Sequence, residues 1–170
     1  PYACAEWEWG GYPAWLLKDP KMVVRSRNAE FLAAARAWLL RLGRELAPLQ
    51  IGNGGPIIAV QVENEYGSYG DDHAYMQDIR QMLVDAGFTK AQLFTADGAE
   101  EVPRGSLPGL PAAINVGPGN AQKSFAILRK IRPDGPFMNA EYWDGWFDHW
   151  GAPHAHTNTD QHASDLDWML

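Results

Sequence analysis

The chain has 170 residues, 46% of them hydrophobic, a formal charge of −7 and one cysteine, Cys4. That apolar content suits a single globular domain and excludes a disordered tail or a membrane-inserted bundle. Acidity without clustered Lys or Arg argues against a nucleic-acid or anionic-membrane partner, and a lone cysteine excludes an intrachain disulfide.

In chain order, "PYACAEWEWG" opens on Pro1 with neither an initiator Met nor a basic and apolar leader, so the expectation is a shortened chain whose compartment is not readable. Its first residues are a strand candidate ending at Glu6. Residues 28–47 carry Phe31, Ala35, Trp38, Leu39, Leu42 and Leu46 at helical spacing behind a capping Asn28, which predicts an amphipathic helix. Trp38, like Trp15, is expected in the core. "PLQIGNGG" breaks the helix, and Gly52, Gly54 and Gly55 read as a turn rather than a phosphate loop because a strand follows, not a helix. That strand, with β-branched Ile57, Ile58, Val60 and Val62, is predicted to be buried and ends in "ENE", residues 63–65.

From Asp71 the spacing of Tyr75, Ile79, Met82, Leu83 and Ala86 predicts a second helix, stopped by Gly87. "AQLFTADG" is a short strand ending at Asp97, residues 102–111 a Pro/Gly-rich loop, and "AAINVG" a strand bearing Asn115. A helix over about 120–131 precedes "GPFMNAEYWDG", a strand ending at Glu141, and residues 160–170 read as a last helix. Short strands alternating with helices imply a parallel α/β sheet. Five strand candidates with polar C-terminal ends, at Glu6, Glu65, Asp97, Asn115 and Glu141, suit a (β/α) barrel; an open doubly wound sheet is the rival, without its usual Gly-rich fingerprint.

Chemistry concentrates at those strand ends. A glycosidase needs two carboxyl groups facing each other across one bond, and strands converging on a barrel mouth supply them from distant positions: Glu63 or Glu65 on one strand and Glu141 on another. Spacing does not choose between Glu63 and Glu65. Trp7 and Trp9, and Trp143, Trp146 and Trp150, lie beside acidic residues, and flat aromatic faces beside hydrogen-bonding carboxylates suit a sugar's C–H face and hydroxyl rim.

"GGPIIAVQVENEYGSYG", residues 54–70, resembles the signature of the glycoside hydrolase family 35 β-galactosidases. "PYACAEWEWGGYPAWLL" at 1–17 resembles that family's sugar-binding strand end, "FMNAEYWDGWFDHWG" at 137–151 its nucleophile segment, and "LFTADGA" at 93–99 fits in the same order. The resemblance implies an α/β fold, a (β/α)8 TIM barrel present as an incomplete fragment covering about the third to seventh strands. It also implies a retaining, exo-acting β-galactosidase without a cofactor. Glu65 is implied to be the acid/base and Glu141 the nucleophile. Ala5 and Glu6 are implied to bind galactose hydroxyls, and Asn64 to hydrogen-bond the sugar beside the nucleophile. Glu63 is read as supporting the site or pairing with a basic residue rather than acting chemically. Many relatives carry Tyr two positions after the nucleophile; Trp143 stands there in this sequence, with Tyr142 one position earlier, which leaves the hydroxyl partner of Glu141 open, and Trp143 is taken as a substrate-binding candidate.

Two alternatives accompany that reading: a related β-glycosidase of other sugar preference, such as an exo-β-glucosaminidase, and a carbohydrate-binding protein without turnover. Retention of both Glu65 and Glu141 argues against the latter. His149, His154 and His156 lie close in sequence but match no standard zinc spacing, so no metal is expected. Relatives are often secreted, periplasmic or lysosomal. Oligomeric state is not legible.

Overall fold

The computed structural model describes residues 11–143 and 145–170. The first strand candidate, with Ala5, Glu6, Trp7 and Trp9, lies outside the described residues.

Helix α1 (Ala29–Leu46) starts where Asn28 turns extended and its side chain accepts the Phe31 N–H at 3.0 Å. This satisfies a donor that the first helical turn leaves orphaned. Strand β1 (Ala59–Gln61) leads into a single helical turn, α2 (Tyr66–Tyr69), and then α3 (His73–Asp85), whose cap Asp72 accepts the Ala74 and Tyr75 N–H groups, both at 3.0 Å. Beyond Gly87, held at φ 97°, come β2 (Gln92–Asp97), the turn α4 (Val102–Gly105) and β3 (Ala112–Val116). Helix α5 (Ala121–Ile131), β4 (Asn139–Tyr142) and α6 (Thr159–Met169) complete the order.

The strands form one sheet in the order β1-β2-β3-β4, every pair parallel. Such pairing requires a crossover between strands, and the helices supply it. The order follows the sequence without reversing, unlike a doubly wound sheet, where it reverses at a switch point. The β3–β4 register shifts between Ile114 and Asn115, so that Ile114 pairs with Asn139 while Asn115 pairs with Glu141. One extra residue on β4 thus turns Glu141, rather than Ala140, alongside Asn115.

Two apolar clusters flank the sheet. One joins α1 and α3 to β1 and β2 through Phe31, Leu39, Tyr75, Leu83, Val62 and Leu93; the other packs Phe125 and Leu128 of α5 on Ala112, Ile114 and Val116. β3 is buried along its whole length, as a parallel strand covered by helices should be.

Three expectations are corrected. Trp15 and Trp38 are 58% and 56% exposed rather than core residues; they border an apolar groove of about 620 Å³ along α1 that Tyr12, Leu16 and Ala35 also line. The apolar period of α1 is wider than the stripe α3 covers, so Trp38 falls beside it. The strand through residue 58 is not uniformly buried: among the described residues β1 is an edge, pairing only with β2, and Ile58 faces outward. The loop at 102–111 contains the turn α4, with Pro103 near its start, where a missing N–H costs nothing.

Candidate active site

Every candidate side chain that the structure describes sits at the C-terminal end of a strand. After β1 the Val62 N–H still donates to the Phe94 carbonyl, and the Glu65 N–H to the Ala96 carbonyl at 2.9 Å, so the "ENE" segment is tied to β2 as it leaves the sheet. Between those anchors the backbone is forced: Glu63 has φ 61° and Glu65 φ 47°. Left-handed backbone at a residue with a Cβ costs on the order of 1–3 kcal/mol and persists only where surroundings enforce it.

The enforcing contacts are specific. Arg25, from the segment preceding α1, donates through Nε and Nη2 to the two carboxylate oxygens of Glu63, at 3.0 and 2.8 Å, and through Nη2 to the Asn64 carbonyl at 2.7 Å. Tyr75 of α3 donates its hydroxyl to Glu63 Oε1 at 2.7 Å; burial first, then the charge of Glu63, push that phenol far up, so it remains a neutral donor. The Asn64 N–H also donates to Glu63 Oε2. Glu63 is 4% exposed and saturated with partners, a structural carboxylate paired with a basic residue as expected. The basic partner itself was not legible: Arg25 stands in "MVVRSRN" with no periodicity to single it out.

Glu65 is less enclosed and carries a different partner. Asn115, buried on β3, donates Nδ2–H to Glu65 Oε1 at 3.0 Å. In register with Asn115 lies Glu141 on β4, whose Oε2 accepts the indole N–H of Trp143 at 3.0 Å. Trp143 thus gives Glu141 an indole N–H donor, while the Tyr142 hydroxyl turns away to Asp165 of α6. Asn64 Oδ1 accepts from Gln61 Nε2 at 2.6 Å. The structure thus brings together Glu65, Asn115, Glu141 and Trp143, with Asn64 adjoining through the backbone; Ala5 and Glu6 lie outside the described residues.

Asp97, at the end of β2, is 1% exposed and accepts the Gly67 N–H at 2.7 Å. Burial, then the nearby charges of Glu65, Glu63 and Glu101, push its carboxyl up to about 7 against the pull of that hydrogen bond. Gly105 passes so close that a Cβ there would collide with the carboxylate. Around the mouth, Trp146 packs edge-on against Trp143 with centroids 5.6 Å apart and is 59% exposed. His154 pairs with Asp148 rather than with a metal-like set, and among the described residues no three His, Cys, Asp or Glu side chains are placed to hold an ion.

A parallel α/β sheet that carries Glu65 after β1 and Glu141 on β4, linked through Asn115 of β3 and each accepting from a neutral N–H donor, is the arrangement expected of a hydrolase that works with paired acids. The family model described as Glycosyl hydrolases family 35 matches residues 1–170, and the chain belongs to that family. It is 59% identical over 170 residues to a beta-galactosidase of Xanthomonas manihotis, all of this chain matching 28% of that protein. It is 45% identical over 174 residues to a beta-galactosidase of Canis lupus familiaris (100% of this chain, 26% of that one) and 44% identical over 170 residues to that of Homo sapiens (98% and 25%). The chain thus spans about a quarter of the length of these relatives.

Proposed function

We propose that the protein carrying this chain is a retaining, exo-acting β-galactosidase that removes terminal β-linked galactose from oligosaccharides or glycoconjugates. The described sheet would form part of the wall of a (β/α)8 barrel, its strands counting as about the fourth to seventh. The observation that carries the reading is the position of Asn115: its side chain holds Glu65 while its backbone sits in register with Glu141. Parallel neighbours lie ~4.8 Å apart, so Asn115 on β3 stands between Glu65, which follows β1, and Glu141 on the adjoining β4, which supports a shared cleft of the kind a double displacement requires.

In the first step an oxygen of ionised Glu141 attacks the anomeric carbon, the bond to the leaving oxygen breaks, and Glu65 gives that oxygen its proton. Trp143 engages Glu141 Oε2, orienting the other oxygen for attack. In the second step Glu65, now ionised, takes a proton from water as the water oxygen displaces Glu141, releasing galactose with its configuration retained. Asn115, an uncharged donor, can hold Glu65 through both states. Asn64, Ala5 and Glu6 bind the sugar hydroxyls, and Trp143 supports the pocket wall.

The test is made on the intact gene product with aryl β-galactosides. Glu141→Gln is expected to abolish turnover, since an amide cannot attack. Glu65→Gln is expected to retain the first step with an activated leaving group, and added azide to restore turnover by replacing base-activated water. Identical behaviour of both variants would refute the division of roles. A preference for β-glucosaminides would transfer the reading to another exo-glycosidase.

A further inference from the structure

Arg25 touches the chain on both sides of Glu65. Before it, the guanidinium grips the Glu63 carboxylate with two donors and the Asn64 carbonyl with a third. After it, the same group lies over the Tyr69 ring, 4.4 Å from its centroid, and within 5.6 Å of Tyr66. The Tyr69 hydroxyl closes the circuit by donating to the Val24 carbonyl at 3.1 Å, next to Arg25. The group is 6% exposed and sits at φ 50°, itself in left-handed backbone.

We infer that Arg25 is a positioning residue for the proposed acid/base. Its planar fork fixes the strained Glu63–Asn64–Glu65 turn and the start of α2, and so aims the Glu65 carboxyl at the leaving-group oxygen. A bidentate guanidinium suits this because it meets carboxylate, carbonyl and ring faces in one rigid plane, which an ammonium cannot do. Glu63, saturated by Arg25, Tyr75 and the Asn64 N–H, serves as the anchor through which Arg25 acts. The inference rests on the reading of Glu65 as acid/base.

The experiment compares kcat/KM of the intact protein for 2,4-dinitrophenyl β-galactoside, which needs no proton to depart, and methyl β-galactoside, which does. Arg25→Met alone leaves the Glu63 charge buried and unpaired, so the informative variant is Arg25→Met with Glu63→Gln, beside Arg25→Lys, which keeps the charge and loses the fork. Both are expected to lose about 100-fold on the methyl glycoside and less than about fivefold on the dinitrophenyl one, a split of the sort that loss of acid catalysis produces. A merely structural role would lower both substrates by the same factor, and that result, or unchanged activity in both variants, overturns the proposal. Glu65→Gln is the reference. If it shows the split and the Arg25 variants do not, only the positioning role fails; if it shows no split, the acid assignment falls and takes the positioning role with it.

Discussion

At the scale of single residues, the site is a set of carboxylates given different environments by their neighbours. Glu63 is buried and charge-matched by Arg25, Glu65 is half-buried with a neutral donor, and Asp97 is buried among like charges with one backbone N–H. Because the folded value of Asp97 is raised above the ordinary carboxylate value, to about 7, it binds more protons in the folded state between roughly pH 4 and 7. Its contribution to stability is therefore complete below the unfolded value and is lost as pH rises through about 7. Asp97→Asn keeps an acceptor for the Gly67 N–H but cannot ionise. Denaturant unfolding of the intact protein at a series of pH values is expected to show wild type losing ground to this variant by about 1.4 kcal/mol per pH unit between those limits. A pH-independent difference would show that Asp97 titrates normally.

At the scale of elements, α1 and α3 cross where Gly43 removes a side chain: a Cβ there would strike the Ala86 carbonyl that closes α3. Gly43→Ala improves helix propensity by about 1 kcal/mol, yet the forced separation of two packed helices costs about 1–3 kcal/mol, so net destabilisation is expected in thermal unfolding. A gain would mean that the helices slide apart freely. The consequence reaches the site, because α3 carries Tyr75 and α1 follows directly on the segment holding Arg25. The helix limits were legible in the cap Asn28 and in Gly87, while the start read at Asp71 falls one residue before the cap Asp72. The turn α4 was not, since four residues carry too little periodicity to stand out from a Pro/Gly-rich stretch.

At the scale of the whole molecule, the described chain leaves much apolar surface open: Trp15, Trp38 and Ile58 are more than half exposed, and the groove along α1 is largely apolar. An exposed apolar groove of this sort drives association. The 170-residue chain, produced by itself, is expected to bind a hydrophobic dye, self-associate in sedimentation and hydrolyse no chromogenic β-galactoside, while the intact protein does. A monomeric, cooperatively unfolding and active product would refute this. Among the described residues no helix is long and apolar enough to cross a membrane.

The sequence by itself determined the alternation of strands and helices, the strand-end placement of Glu65, Asp97, Asn115 and Glu141, and, through its resemblance, the family. These are local matters: hydrophobic period, caps and turn residues act within one or two turns of chain. The physical difference between Glu63 and Glu65 is visible only in three dimensions, because it lies in their partners, Arg25 and Asn115, which stand 38 and 50 positions from them. The same holds for the one-residue shift that brings Glu141 rather than Ala140 opposite Asn115, since register belongs to a pair of strands and neither strand encodes it alone.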